Sequence, residues 1–307
     1  AAQRFRMSEA VDLERRFGGI ERLYGQGVLA RLQRCKVAVV GVGGVGSWAA
    51  EALARSGVGG LRLIDLDVVA ESNCNRQVHA LSSTLGRAKV EVMTERLADV
   101  NPLLSCEPID DFLTPENCAA LIAGMDAVID AVDGVRAKAA LAAQCRAQGI
   151  FLVMTGAAGG KRDPARIEVA DLTQTLQDPL LAKTRALLRR EYGFPRGRER
   201  FGVPAVFSSE PMRRDAQCDA RAGLACAGYG SSMMMTAAMG LIGAAFGFQF
   251  FVASDLAGGF LDLAAHVLGG AFDTIVISHE KLPSLTSPEQ RRLVQRKRPR
   301  CSRVPRA

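Results

Sequence analysis

An apolar run, Lys36-Val37-Ala38-Val39-Val40, passes directly into a glycine turn, Gly41-Val42-Gly43-Gly44-Val45-Gly46. That junction limits the folds open to this chain more than any other feature. A short β-branched run bounded by glycine reads as a strand buried on both faces. The glycines let the backbone turn tightly and let an anionic group approach its amides. Ser47 to Arg55 then reads as a helix whose N-terminus would face that anion with partial positive charge. Leu61-Arg62-Leu63-Ile64-Asp65 reads as a second strand closing on an acid. Strand, phosphate loop, helix, strand and acid make the mononucleotide half of a doubly wound α/β fold with a mainly parallel sheet. Asp65 stands about twenty residues past the loop, where a ribose hydroxyl would be bound. On these features alone the nucleotide is NAD or ATP.

The chain is 307 residues long and 48% hydrophobic, enough for one large domain or two small ones with a real core. Eight cysteines, at 35, 74, 106, 118, 145, 218, 226 and 301, form no C-x-x-C pair. This argues against a structural zinc of that kind and suits a reducing, cytoplasmic setting with most thiols buried as small hydrophobes. The first thirty residues are charged and lack an apolar segment, so no signal peptide is expected. Residues 280–307 hold nine Lys/Arg against two Glu, equal to the whole net charge of +7. This basic tail is expected to be disordered. It is either solvated or drawn to RNA or an acidic membrane.

The segment after the second strand separates the two nucleotides. Asp65-Leu66-Asp67 is followed by Asn73-Cys74-Asn75-Arg76-Gln77, then by Gly86-Arg87-Ala88-Lys89. A dehydrogenase has little need for a fixed Arg and Lys here. A triphosphate needs cations on its β and γ groups and on the departing pyrophosphate. The set Gly-x-Gly-Gly-x-Gly, Asp-x-Asp, Asn-x-x-Arg-Gln and Gly-x-x-Lys resembles the adenylating domain of the ubiquitin-activating-enzyme superfamily. Those enzymes activate a carboxylate by attack on the α-phosphate of ATP. The resemblance implies that Gly41, Gly43, Gly44 and Gly46 form the phosphate loop and that Asp65, with Asp67 beside it, holds the ribose. It further implies that Asn73, Arg76 and Gln77 form a polar turn with the arginine on the phosphates, and that Lys89 binds phosphate.

Further along, Glu91 to Val100 reads as a helix ended near Asn101-Pro102, and Ser105 to Phe112 as a strand. Ala127 to Asp133 reads as another buried strand, acidic at the carboxyl end where ligands bind in open α/β sheets. By the resemblance Asp133 is the magnesium-associated aspartate. The alternative is an N-cap for the helix Gly134 to Gln148. Mg2+ bridging ATP oxygens needs only one or two carboxylates.

Two further segments narrow the family. Gly156-Ala157-Ala158-Gly159-Gly160-Lys161-Arg162-Asp163-Pro164 and Ala170 to Leu180 read as a glycine-rich loop and a capped helix start. Together with Arg16-Phe17-Gly18-Gly19 they resemble the tRNA threonylcarbamoyladenosine dehydratase branch, from about residue 15 to about residue 250. That branch implies an ATP-dependent ring closure on a tRNA nucleoside and a homodimer. Arg16 and Arg22, in a region that fits two short helices, are surface charge or reach a phosphate in a partner subunit. Lys183 to Arg200 holds seven Lys/Arg against two Glu, a solvated face or a tRNA contact. Tyr192 and Phe194 there either stack on a base or anchor a turn.

From residue 222 to 254 there are 33 residues without a charge, long enough to span a bilayer but rich in Gly, Ala and Ser. The segment is a buried or interfacial helix, or a membrane contact. Cys226 is a small buried residue or an acyl acceptor. The expected organisation is a helical segment (1–35), an ATP-binding adenylating domain (36–253), an apolar segment of uncertain structure (254–279) and the tail. Three other readings stay open. They are an adenylyltransferase for a ubiquitin-like sulfur carrier, an NAD-dependent oxidoreductase and a membrane-associated scaffold. Any sulfur-transfer partner is unidentified.

Overall fold

A computed structural model describes residues 11–212 and 229–253. The expectations for the basic tail, for residues 254–279 and for Cys226 fall outside the described residues.

A seven-stranded sheet carries the fold: β1 (Lys36–Val40), β2 (Gly60–Ile64), β3 (Ser105–Ile109), β4 (Ala127–Asp130), β5 (Phe151–Thr155), β6 (Ile167–Asp171) and β7 (Pro204–Ser208). The order is β3-β2-β1-β4-β5-β7-β6, parallel except for β6, which runs antiparallel to β7. The chain leaves β1 toward β2 and β3, then returns to the other side at β4. The crevice at this reversal, beyond the strand ends, is where ligands bind in such sheets.

The alternation of side chains across the pleat builds two apolar layers. Val37, Val39, Leu61, Leu63, Ile129 and Val153 face α3 (Gly46–Arg55), α4 (Lys89–Val100) and α8 (Met233–Ala253). Ala38, Val40, Val128, Leu152 and Met154 face α5 (Cys118–Leu121), α6 (Val135–Gln148) and α7 (Pro179–Glu191). Ahead of the sheet lie α1 (Leu13–Tyr24), capped by Asp12, and α2 (Val28–Leu32), the two short helices expected there.

α8 is long and apolar enough to cross a membrane, yet it packs against α3, β4, β5 and β7. Gly240 makes this approach possible, because a Cβ there would collide with the carbonyl of Val45 and meet Trp48 Cβ at 3.1 Å. The helix is thus a wall of the sheet layer, as the buried-helix reading has it. Two strands are shorter than expected. β3 stops at Ile109, releasing Asp110 to Phe112 into a loop, and β4 stops at Asp130 rather than Asp133.

Candidate functional site

Beyond the carboxyl ends of β1, β2, β4 and β5 lies a cleft of about 490 Å³. That size suits a nucleotide-sized ligand. Gly41, Gly43, Gly44, Asp65, Asp67, Asn73, Arg76, Gln77, Lys89 and Asp133 all line it. Gly46 sits behind, packed on the Gly41 carbonyl and Ala131.

The glycine loop follows from contact geometry. Gly41 has φ +86°, and a Cβ there would lie 2.8 Å from the carbonyl oxygen of Ala131. Any other residue would push the loop off β4. Asp65 ties the loop to β2: its Oδ2 accepts from Val42 N at 2.7 Å and its Oδ1 from Asp67 N at 2.9 Å. Burial pushes the Asp65 carboxyl up, while Lys89 and the two amides pull it back. Lys89 Nζ lies 2.6 Å from Asp67 Oδ2 and 3.8 Å from Asp65 Oδ1. The lysine is therefore held by acids at the cleft floor and is no solvated helix residue.

Arg76 donates through Nη1 to Ser72 O at 2.7 Å and to Asn75 Oδ1 at 3.0 Å, and its own carbonyl accepts from Trp48 Nε1. Its other N–H groups make no bond among the described residues. Asn73 Oδ1 accepts from Ala70 N, closing the turn that aims Arg76. Gln77 is buried with Oε1 unpartnered. This wall offers two cations, a run of loop amides and a ribose-height carboxylate. That set matches a nucleoside triphosphate.

Asp133 is exposed in the cleft and makes no hydrogen bond or ion pair among the described residues. The N-cap of α6 is Gly134, without a side-chain cap, so the N-cap reading of Asp133 does not hold. No cluster of three or more His, Cys, Asp or Glu that could hold a metal occurs among the described residues. A lone carboxylate beside phosphate oxygens is the donor set Mg2+ accepts.

Arg16 is not in the cleft. Its Nη1 donates to Val100 O at 2.7 Å and Asp99 O at 3.3 Å, capping the carbonyls at the C-terminus of α4. Arg22 is exposed and also outside the cleft. Phe194 is 3% exposed and meets Phe201 edge-on at 4.9 Å, so it anchors a turn and stacks on no base.

Sequence reasoning missed the charges inside the opposite wall. Lys161, 2% exposed, donates from Nζ to the carbonyls of Gln177 (2.9 Å), Ser208 (2.9 Å) and Glu210 (2.6 Å). Glu210 Oε2 in return accepts from Arg162 N and Asp163 N. Asp178 caps α7 and takes Ala157 N with its other oxygen. This clasp shapes the loop whose residues 157–159 line the cleft. Burial pushes the Lys161 ammonium below its usual range, with Asp178 and Glu210 opposing. Deeper still, Asp130 and Lys138 form a fully buried pair at 3.0 Å. The capped start of α7 was the only local signal for any of this.

Cleft and sheet together define an adenylating enzyme of the Rossmann-like type. The profile of the ThiF family matches residues 18–265, and the chain belongs to that family. It is 47% identical over 240 residues to the tRNA threonylcarbamoyladenosine dehydratase of Haemophilus influenzae, across 76% of this chain and 92% of that protein. The crystal structure of the Escherichia coli tRNA N6-threonylcarbamoyladenosine dehydratase with ATP superposes with TM-score 0.73 and 44% identity, over 80% of this chain and 97% of that one. The molybdopterin-synthase adenylyltransferase of E. coli is 40% identical over 127 residues, only 41% of this chain and 51% of that protein.

Proposed function

We propose that this protein carries out the ATP-dependent cyclisation of threonylcarbamoyladenosine in tRNA, a net dehydration through a carboxyl-adenylate. The observation that supports this most is the extent of the likeness. It spans both cleft walls and nine-tenths of the dehydratase, whereas likeness to the sulfur-carrier adenylyltransferase covers about half of that protein.

ATP would lie with its phosphates on the Gly41–Gly46 loop and its ribose at Asp65. The threonyl carboxylate attacks the α-phosphate, and pyrophosphate departs with its growing charge met by Arg76 and Lys89. A carboxylate is a poor electrophile, and adenylation gives its carbon a good leaving group. A nitrogen or oxygen of the tethered carbamoyl group then closes the ring and expels AMP. Tethering raises the effective concentration of that group by several orders of magnitude. Mg2+, held by Asp133 and phosphate oxygens, would neutralise phosphate charge. A homodimer is part of the proposal. Of the two candidate partner-subunit contacts, Arg22 suits the role better than Arg16, which is committed to the α4 carbonyls.

An NAD-dependent reading loses to the Arg76 and Lys89 pair. A membrane scaffold loses support, because α8 packs against α3, β4, β5 and β7.

Mass spectrometry of nucleosides from modified tRNA, incubated with the protein and Mg·ATP, tests the proposal. The expected product is lighter by one water, requires ATP and disappears in Lys89→Ala. AMP released only with a small carrier protein would instead move the activity to the sulfur-carrier reading.

A further inference from the structure

α7 begins at the cleft and ends far from it. Asp178 at its start holds the cleft loop through Ala157 N, and Leu180 lines the cleft itself. The helix then runs 13 residues, about 20 Å, along the flank of α6. Leu180, Leu181, Thr184, Leu187 and Leu188 turn inward, while Lys183 and Arg190 stand two turns apart on the exposed side. The loop that follows adds Arg196, Arg198 and Arg200, all exposed.

These cations differ from their neighbours in having nothing to do within the fold. Arg185 is committed to the carbonyls of Leu172 and Thr175, and Arg189 to Pro195 O and the ring of Phe201. Lys183, Arg196, Arg198 and Arg200 make no hydrogen bond or ion pair among the described residues. Arg190 pairs only with the adjacent, exposed Glu191, an interaction of little strength.

The arginine loop also stands on a built base. Phe194 and Phe201 pack edge to face at its two ends, and Arg146 covers the Phe194 ring at 4.9 Å. Asp171, 1% exposed, accepts the amides of Phe201, Gly202 and Val203. A row of cations whose one partner is the exposed Glu191, projected from a fixed base and leading away from the cleft, fits a polyanion longer than the cleft.

We infer that Lys183, Arg190, Arg196, Arg198 and Arg200 form a track for the sugar–phosphate backbone of tRNA, running from the cleft down the outer face of α7. The inference rests on the tRNA reading above and goes beyond it by naming the surface. Phosphate contacts of this kind set register without reading sequence. Binding along the track is therefore salt-dependent and insensitive to the bases lying on it.

Labelled tRNA is titrated against the full chain over a range of KCl concentrations. The triple variant Arg196→Gln/Arg198→Gln/Arg200→Gln is set against Arg300→Gln/Arg303→Gln/Arg306→Gln, which removes equal charge from the basic tail. The track variant should bind tRNA about tenfold or more weakly. Its log–log salt slope should be shallower by roughly 2 to 3, with ATP affinity and thermal unfolding unchanged. A single reversal, Arg198→Glu, should weaken binding more than Arg198→Gln. Unchanged tRNA affinity and slope in the track variant, or equal losses in the tail variant, would overturn the track while leaving the function intact. Failure of the wild-type chain to bind tRNA while it binds ATP would overturn both.

Discussion

The two walls of the cleft are built on opposite principles. The wall from Gly41 to Lys89 presents its functional groups outright: loop amides, Asp65, Arg76 and Lys89 face the space a ligand would fill. The wall from Gly156 to Asp163 presents mostly backbone and small side chains. Lys161 is turned inward there, with Asp178 and Glu210 from neighbouring segments, to hold that backbone in place, while Arg162 and Asp163 stay exposed at its far end. One wall is specified by what it offers, the other by what supports it. Substitutions should therefore damage chemistry on the first and shape on the second.

The largest separation is expected at Arg76. On the proposed role of Arg76, Arg76→Ala takes away a donor to developing phosphate charge, so ATP-dependent turnover should fall a hundredfold or more, about 3–4 kcal/mol of transition-state stabilisation. Its melting temperature should hardly move. Near-normal turnover in a kinetic assay would take Arg76 out of the chemistry and blur the contrast.

His79 sharpens the comparison from the side of pH. It follows the Arg76–Gln77 turn, is 1% exposed, and has neither ring nitrogen partnered. Burial, aided by Lys89 and Arg96, pushes its pKa down from 6.5 to about 4. Between these values the unfolded chain binds the extra proton, so stability is full above pH 6.5 and falls as the pH drops toward 4. The loss is on the order of 3 kcal/mol. His79→Leu should flatten that part of the profile in denaturant titrations at stepped pH. An unchanged slope would show that other groups carry it.

Lys161→Met is the complementary, somewhat smaller effect. It keeps the length of the side chain but takes the donor from three carbonyls; no ammonium then has to be buried, which offsets part of that loss and leaves a net cost of about 2 kcal/mol of stability. ATP affinity, which the proposal assigns to the other wall, should stay within a few-fold by calorimetry. A large loss of ATP affinity would mean that the walls do not act separately.

The same division explains what could be read from the chain. The motif wall is legible because phosphate chemistry demands particular residue types at particular spacings. Gly41, Asp65, Arg76 and Lys89 are brought to one site by the family resemblance those spacings carry. The supporting wall is not, because a lysine that ends inside and one that ends in water look alike in sequence. Lys161 is known only by the three carbonyls that the fold brings to it from residues 177, 208 and 210. Asp130 and Asp133 make the same point. They are identical in type and three residues apart, yet one is sealed against Lys138 and the other opens into the cleft, because β4 ends between them. Phe194 could equally have faced a base or the core, and only the approach of Phe201 decides it.

The cysteine environments carry a consequence for chemical labelling. Cys35 and Cys118 are buried, and their thiols are pushed up to about 11 by desolvation and nearby acids. Cys145 is buried and pushed higher still. Such thiols hold almost no thiolate at neutral pH and resist alkylation and oxidation. Cys74 is exposed and sits in the turn between Asn73 and Arg76. Among the described cysteines it is therefore the natural handle for a maleimide probe. The chain thus carries an attachment point for a dye within the polar turn itself.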